Sequence, residues 1–258
     1  KGIFRSPFIG FRNFEFLFTT TDAWRITSNT ICYNIVFIIL NTTLAVLLAI
    51  LLNEIIHKRI TKWLQTIYIM PNFLSMAVVA IIVFAFLSAD HGYLNNIMET
   101  LGYSRKNWYL ERKPWPFFFV IINAWKHVGF SSVVYLASIA GISPEYYEAA
   151  VLDGAKKIQQ ARYVTLPFLK PMISILLIMS IGGIFRGDFG LFYLVTQNNG
   201  RLYPVSDVLD TYIYRAMTTL NNTGMATAAG LYQSVVSFIC VLIANKIVAM
   251  IEPENAMF

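Results

Sequence analysis

The chain has 258 residues, of which 57% are hydrophobic and only 13% charged, and its formal net charge is +6 at pH 7. Soluble domains carry about 25% charged residues, so this composition excludes an ordinary water-soluble protein and demands lipid as the main solvent. The two cysteines, Cys32 and Cys240, support neither a disulfide framework nor a metal site. No basic tract interleaved with aromatics is present, so nucleic acid is not an expected partner.

Residues 1–23 are aromatic-rich, with Phe8, Phe11, Phe14, Phe16 and Phe18 set among Arg5, Arg12 and Glu15. That pattern predicts a segment lying in the interface plane. Lys1 is not an initiator methionine, and a further N-terminal span is expected before it.

Five apolar stretches follow, at Trp24–Leu52, Trp63–Leu87, Pro116–Gly141, Pro171–Val195 and Ala229–Met250. Each reaches the ~20 residues a helix needs to cross a ~30 Å hydrocarbon core. Trp63, Tyr68, Trp115 and Tyr193 suit the headgroup level. The expected fold class is therefore an all-α integral membrane protein, with residues 24–250 forming the membrane domain and 251–258 a C-terminal tail.

The connections differ in character. Asn53–Lys62 is short and basic, and Ser88–Trp115 is longer and also basic, so the positive-inside rule is nearly balanced. Alternation still puts Asn53–Lys62, 142–170 and the C-terminus on one side. Within Thr196–Gly230, Val205, Val208, Leu209, Tyr212, Ile213, Ala216 and Met217 recur at helical spacing, which predicts a surface helix capped by Ser206.

The loop 142–170 is the most patterned. Ser143 suits an N-cap, Pro144 the first helical position and Glu145 the first turn, while Gly154 suits a C-terminal stop. These predict a helix of about ten residues, ~15 Å long. Ala149 and Ala150 thin one face of it. A second, basic helix is expected over Lys156–Tyr163, ending at Leu166-Pro167.

Glu148-Ala149-Ala150, Asp153-Gly154-Ala155 and Leu166-Pro167 resemble, at the same spacing, the cytoplasmic loop of binding-protein-dependent ABC-importer permeases. Ser6-Pro7-Phe8, Leu52-Asn53-Glu54, Pro71 to Leu74 and Ser206 to Tyr212 are similar to the carbohydrate group, closest to its oligo- and polysaccharide branch, alginate-type systems included. The resemblance implies a type I ABC-importer transmembrane domain in the bacterial cytoplasmic membrane, with the loop 142–170 and the tail 251–258 cytoplasmic and the segment 1–23 extracytoplasmic. It also implies that Glu148, Ala149, Ala150, Asp153, Gly154, Leu166 and Pro167 couple to a separate ATPase. The implied partners are a second homologous permease, two ATPase subunits, an extracytoplasmic solute-binding protein, an oligosaccharide and membrane lipid. The chain itself would carry no cofactor, ATP and Mg belonging to the ATPase. The family usually has six or more spans, whereas five are visible here.

Polar residues within the spans are candidates for a substrate path. Ile181 to Gly190 holds four glycines with Arg186 and Asp188. A charge at mid-membrane costs roughly 2.5–3.5 kcal/mol on insertion scales, and residues two apart do not face each other on a helix. Each therefore needs a partner elsewhere, or the helix unwinds. Arg186, Asp188, Tyr193, Asn123, Trp125 and Gln233 form the expected path, and a structural ion pair with a neighbouring subunit is the bland alternative for the charges. Lys126 is expected to snorkel outward, His127 to be structural, and Asn34, Asn41 and Ser234 to bond between helices. No phosphate loop, nucleophile elbow or zinc spacing occurs, so no catalytic or metal site is expected. Other cargo, such as peptide or phosphate, remains an alternative. So does a secondary transporter or intramembrane enzyme, although no repeat or catalytic pair supports it.

Overall fold

The computed structural model describes residues 8–55, 57–219 and 221–251. The expected tail 251–258, apart from the last residue of the final helix, and the Ser6-Pro7 pair lie outside the described residues. Among the described residues the fold is entirely helical. A short helix α1 (Glu15–Thr19) precedes α2 (Thr21–Asn53), α3 (Lys58–Phe73), α4 (Met76–Leu87), α5 (Tyr93–Thr100) and α6 (Trp115–Ala140). Then come α7 (Pro144–Leu152), α8 (Lys157–Gln160), α9 (Leu166–Ile181), α10 (Tyr203–Ser206), α11 (Leu209–Thr218) and α12 (Thr223–Ile251).

Four helices are long and apolar enough to cross a membrane, and α3 with α4 makes a fifth if the bent pair is one span. Counted that way the number equals the five expected spans, with three differences in detail. The expected span 63–87 is broken between α3 and α4, where Pro71 removes a helical donor. The expected span 171–195 begins much earlier, since α8, a π-helical turn at Ala161–Thr165 and α9 run on as one helix from Lys157 to Ile181. It then ends at Gly182, where helix gives way to turns. No separate basic helix stops at Pro167. The widened π turn lies just before that proline, where a regular helix would clash with the carbonyl four residues back.

The chain divides into two compact units. One comprises Lys1–Asn34, Val79–Pro116 and Ile184–Phe238, and the other Ile35–Val78, Phe117–Gly183 and Ile239–Phe258. In the second unit Ala45 and Ala49, one turn apart on α2, are fully buried against Tyr135 and Ile139 of α6 and Leu169 of α9. Small residues of this kind let membrane helices approach closely. In the first unit Asn95 is fully buried and organises the connection 88–115. Its amide donates to the carbonyls of Ser88, Ala89 and Lys106, and its oxygen accepts from the Lys106 N–H and the Trp108 indole.

The described part of the N-terminal segment does more than lie in an interface. Phe16 stacks on Tyr212 of α11 and Phe18 meets Tyr232 of α12 edge-on, while Phe8 and Phe11 are exposed. The expected helix 205–217 is shorter at its start. Ser206 is buried in the separate turn α10, Asp207 is extended, and α11 begins at Leu209. The cap comes from another helix, because the Thr30 hydroxyl of α2 accepts the Leu209 N–H at 3.0 Å.

Candidate functional site

Two places concentrate the expected residues, one in each unit. In the second unit α7 follows the reading of its sequence closely. Pro144 is the first helical residue, but the Ser143 hydroxyl accepts no capping bond. At the other end Gly154 has φ +78°. The Ala155 N–H reaches the Ala150 carbonyl at 2.9 Å and the Gly154 N–H that of Val151 at 2.9 Å. This paired closure needs a left-handed residue, and glycine enters that region without strain.

The outward surface of α7 is more apolar than its two alanines suggest. Glu148 and Ala149 are exposed and Ala150 half-buried. Beside them Val151 is 59% and Leu152 88% exposed, and Ile158 of α8 is 82% exposed. A groove of about 630 Å³ runs here, lined by Tyr147, Glu148, Val151 and Leu152 of α7 with Glu54 and Lys157. Lys157 and Glu54 form an ion pair at 3.0 Å. Asp153 and Gly154 are exposed at the helix end, and Leu166 and Pro167 lie at the start of α9, also exposed. Helix α7 is also fastened to the chain that follows: the Tyr147 phenol meets the Thr165 hydroxyl at 3.0 Å and the exposed Tyr146 ring packs on Phe168.

In the first unit the chain from Ile184 to Asp188 is unwound, and side chains from three other helices hold its backbone. The Asn34 amide donates to the carbonyls of Ile184 and Arg186 at 2.9 Å each. The Gln233 amide donates to the Phe185 carbonyl and to the Asp210 carboxylate, which also accepts the Gly187 N–H. A side chain at Gly187 would collide with Val208, its first carbon falling 2.6 Å from a methyl. Burial pushes the Asp210 carboxyl above its ordinary range, against the Gly187 and Gln233 bonds and the Arg186 charge, which favour ionisation.

Arg186 and Asp188 separate in role. The Arg186 side chain is exposed and has no ion pair among the described residues, although its charge acts on Asp210. Asp188 accepts the Leu191 N–H at 3.0 Å and so caps the helical turn that follows. Tyr193 stacks on Phe189 with centroids 4.7 Å apart, and both rings meet Tyr214. Gln233 is buried and committed to backbone and Asp210. Asp210, Phe189 and Tyr214 were not anticipated. Asp210 is 23 residues from Gly187, within the Ser206 to Tyr212 stretch that carried part of the resemblance but assigned it no partner.

Asn123 and Trp125 belong to the other unit. Asn123 is buried and accepts from the Asn41 amide at 2.8 Å. Trp125 borders a groove of about 580 Å³ whose other walls, such as Leu44, Leu48, Pro71 and Val128, are apolar. Lys126 does not snorkel outward. It is 7% exposed, and its ammonium donates to the Leu74 and Asn72 carbonyls at the break after α3.

The family described as the binding-protein-dependent transport system inner membrane component matches residues 14–253. The chain belongs to this family. It is thus a membrane component of an ABC-type import system, located in the inner membrane. This permease is 31% identical over 246 residues to the polygalacturonan/rhamnogalacturonan transport system permease YteP of Bacillus subtilis, covering 95% of this chain and 76% of the relative. It is 29% identical over 253 residues to the arabinooligosaccharide permease AraP of the same organism, covering 96% and 78%. A solved bacterial ABC transporter involved in import of the acidic polysaccharide alginate matches with a TM-score of 0.91 at 34% identity, covering 96% of this chain and 86% of that one. A bacterial alginate transporter in complex with a pentasaccharide-bound periplasmic protein matches with a TM-score of 0.89 at 34% identity, covering 94% and 84%.

Proposed function

We propose that this permease forms half of the membrane path for an oligosaccharide, polysaccharide fragments included, in an ATP-driven importer. The observation that carries the coupling part is the exposed α7 surface, in which Glu148 stands beside Val151 and Leu152 on a helix closed by Gly154. An apolar patch with a central acid suits a cleft on another protein better than it suits water. That protein is an ATPase subunit. ATP and Mg are bound there, and this chain hydrolyses nothing. A second homologous permease, a second ATPase subunit and an extracytoplasmic binding protein complete the assembly.

The carbohydrate cargo is supported by the relatives, whose names specify polygalacturonan, rhamnogalacturonan, arabinooligosaccharides and alginate. Arg186 is the path residue the geometry favours. Its guanidinium stands exposed on an unwound backbone just past the end of the 157–181 span. Such a cation suits a uronate carboxylate. The Phe189, Tyr193 and Tyr214 rings offer stacking faces for sugar rings in the same unit. Gln233, Asn34 and Asp210 act behind them by holding the backbone.

Uptake by the reconstituted importer tests this reading. Labelled uronate oligosaccharides, neutral oligosaccharides, a peptide and inorganic phosphate are offered with the cognate binding protein and ATP. Saccharide uptake alone is expected. Uptake of peptide or phosphate but no saccharide would overturn the cargo assignment.

A further inference from the structure

The Thr165 side chain is buried, and its hydroxyl lies 3.0 Å from the Tyr147 phenol. The bond joins α7 to the residue that immediately precedes α9 and bridges 18 positions of chain. Next to it, the Tyr146 ring packs on Phe168 with centroids 4.8 Å apart. Tyr146 and Tyr147 therefore fasten α7 to the foot of a candidate span, while Val151 and Leu152 of the same helix stay exposed.

The covalent route between α7 and α9 is compliant at two points. Gly154 sits in the left-handed region with open space around it, so no side chain stiffens that turn. The turn Ala161–Thr165 is π-helical, a wide and poorly packed geometry that commonly marks functional places in helices. A push on α7 carried along the backbone alone would be absorbed in bending these two points. The Lys157–Glu54 ion pair does not replace the missing stiffness, because both side chains are substantially exposed and screened by water.

We propose that the Tyr147–Thr165 hydroxyl pair is the link that transmits displacement of α7 to α9, which makes the two side chains positioning residues for ATP-coupled transport. The proposal rests on the reading of α7 as the ATPase contact. Either hydroxyl can donate, so the link needs both oxygens and neither charge. Removing one oxygen leaves the Tyr146–Phe168 packing in place, which separates transmission of movement from attachment of the helix.

The test uses the complete importer in vesicles, with Tyr147→Phe, Thr165→Val, the two combined, and Thr165→Ser. The quantity read is oligosaccharide taken up per ATP hydrolysed, with co-purification of the ATPase measured alongside. Phenylalanine keeps the ring and valine the branched shape, so attachment should persist. Each single variant should lower uptake per ATP roughly three- to ten-fold, the range one hydrogen bond supplies. The double variant should fall no further than the worse single one, and serine, which keeps the hydroxyl, should stay near the parent. Should Tyr147→Phe not assemble, Thr165→Val against Thr165→Ser makes the same comparison. An unchanged ratio in the hydroxyl-deletion variants, additive losses in the double variant, or a serine variant as impaired as valine would overturn the link. Failure of the underlying reading has a different signature, namely ATPase co-purification that ignores changes to Glu148 and Gly154.

Discussion

The Lys126 ammonium donates to the Leu74 carbonyl at 2.6 Å and to that of Asn72 at 3.2 Å, at the point where α3 breaks before α4. A helix end leaves carbonyls without partners and carries partial negative charge. In a membrane no water is at hand to satisfy them. A buried cation from α6 does so here. Lys126→Met should therefore destabilise the solubilised protein by about 1.5–3 kcal/mol, the range for hydrogen bonds to a charged group. The measurement is the thermal unfolding midpoint in detergent, and a midpoint equal to or above the parent would contradict the capping role.

Arg186→Ala tests the path. The Arg186 backbone carbonyl is held by Asn34, while its side chain is exposed with no ion pair among the described residues. Truncation should leave the assembly intact and reduce uptake of uronate oligosaccharides roughly ten-fold or more, the scale of one lost charge-assisted bond. Loss of the assembled complex on gel filtration would instead mark the residue as a structural contact with a neighbouring subunit.

Gly154→Val tests the closure of α7. A side chain at this position meets nothing within 4 Å, so space is not the obstacle. The obstacle is the +78° φ angle, and a β-branched residue there costs roughly 1–2 kcal/mol. The variant should shift or fray the end of α7 and weaken ATPase co-purification, whereas Gly154→Asn, which tolerates that conformation better, should lose less. Equal retention of the ATPase by parent, asparagine and valine forms would remove the coupling role from this turn.

Asp210→Asn tests the anchor of the unwound segment. Burial raises the Asp210 carboxyl in the folded protein, so the folded state binds this proton more tightly than the unfolded chain does. Its contribution to stability is then present at low pH and diminishes as pH rises through the folded value. Asparagine stays neutral and keeps an oxygen for the Gly187 N–H and Gln233 amide. The variant should match or exceed the parent's unfolding midpoint at pH 7 and show a flatter dependence as pH rises above the ordinary aspartate range, about 4. A loss that grows as pH rises would show instead that the carboxylate charge itself holds the segment.

The number of spans, the closure of α7 and the family were legible in the chain because each rests on local or strictly spaced chemistry. About twenty apolar residues can only be a span or a core helix, wherever the rest of the chain goes. Pro144, Glu145 and Gly154 act within one or two turns of helix. What Lys126 and Gln233 do was not legible, because their partners are distant in sequence. Lys126 meets carbonyls more than fifty residues away, and Gln233 meets one 48 residues away. The break at Gly182 was open in the sequence, since glycines and a charge permit unwinding without requiring it. Only tertiary structure decided it, by bringing Asn34, Gln233 and Asp210 to the unwound backbone groups that a regular helix would have satisfied by itself.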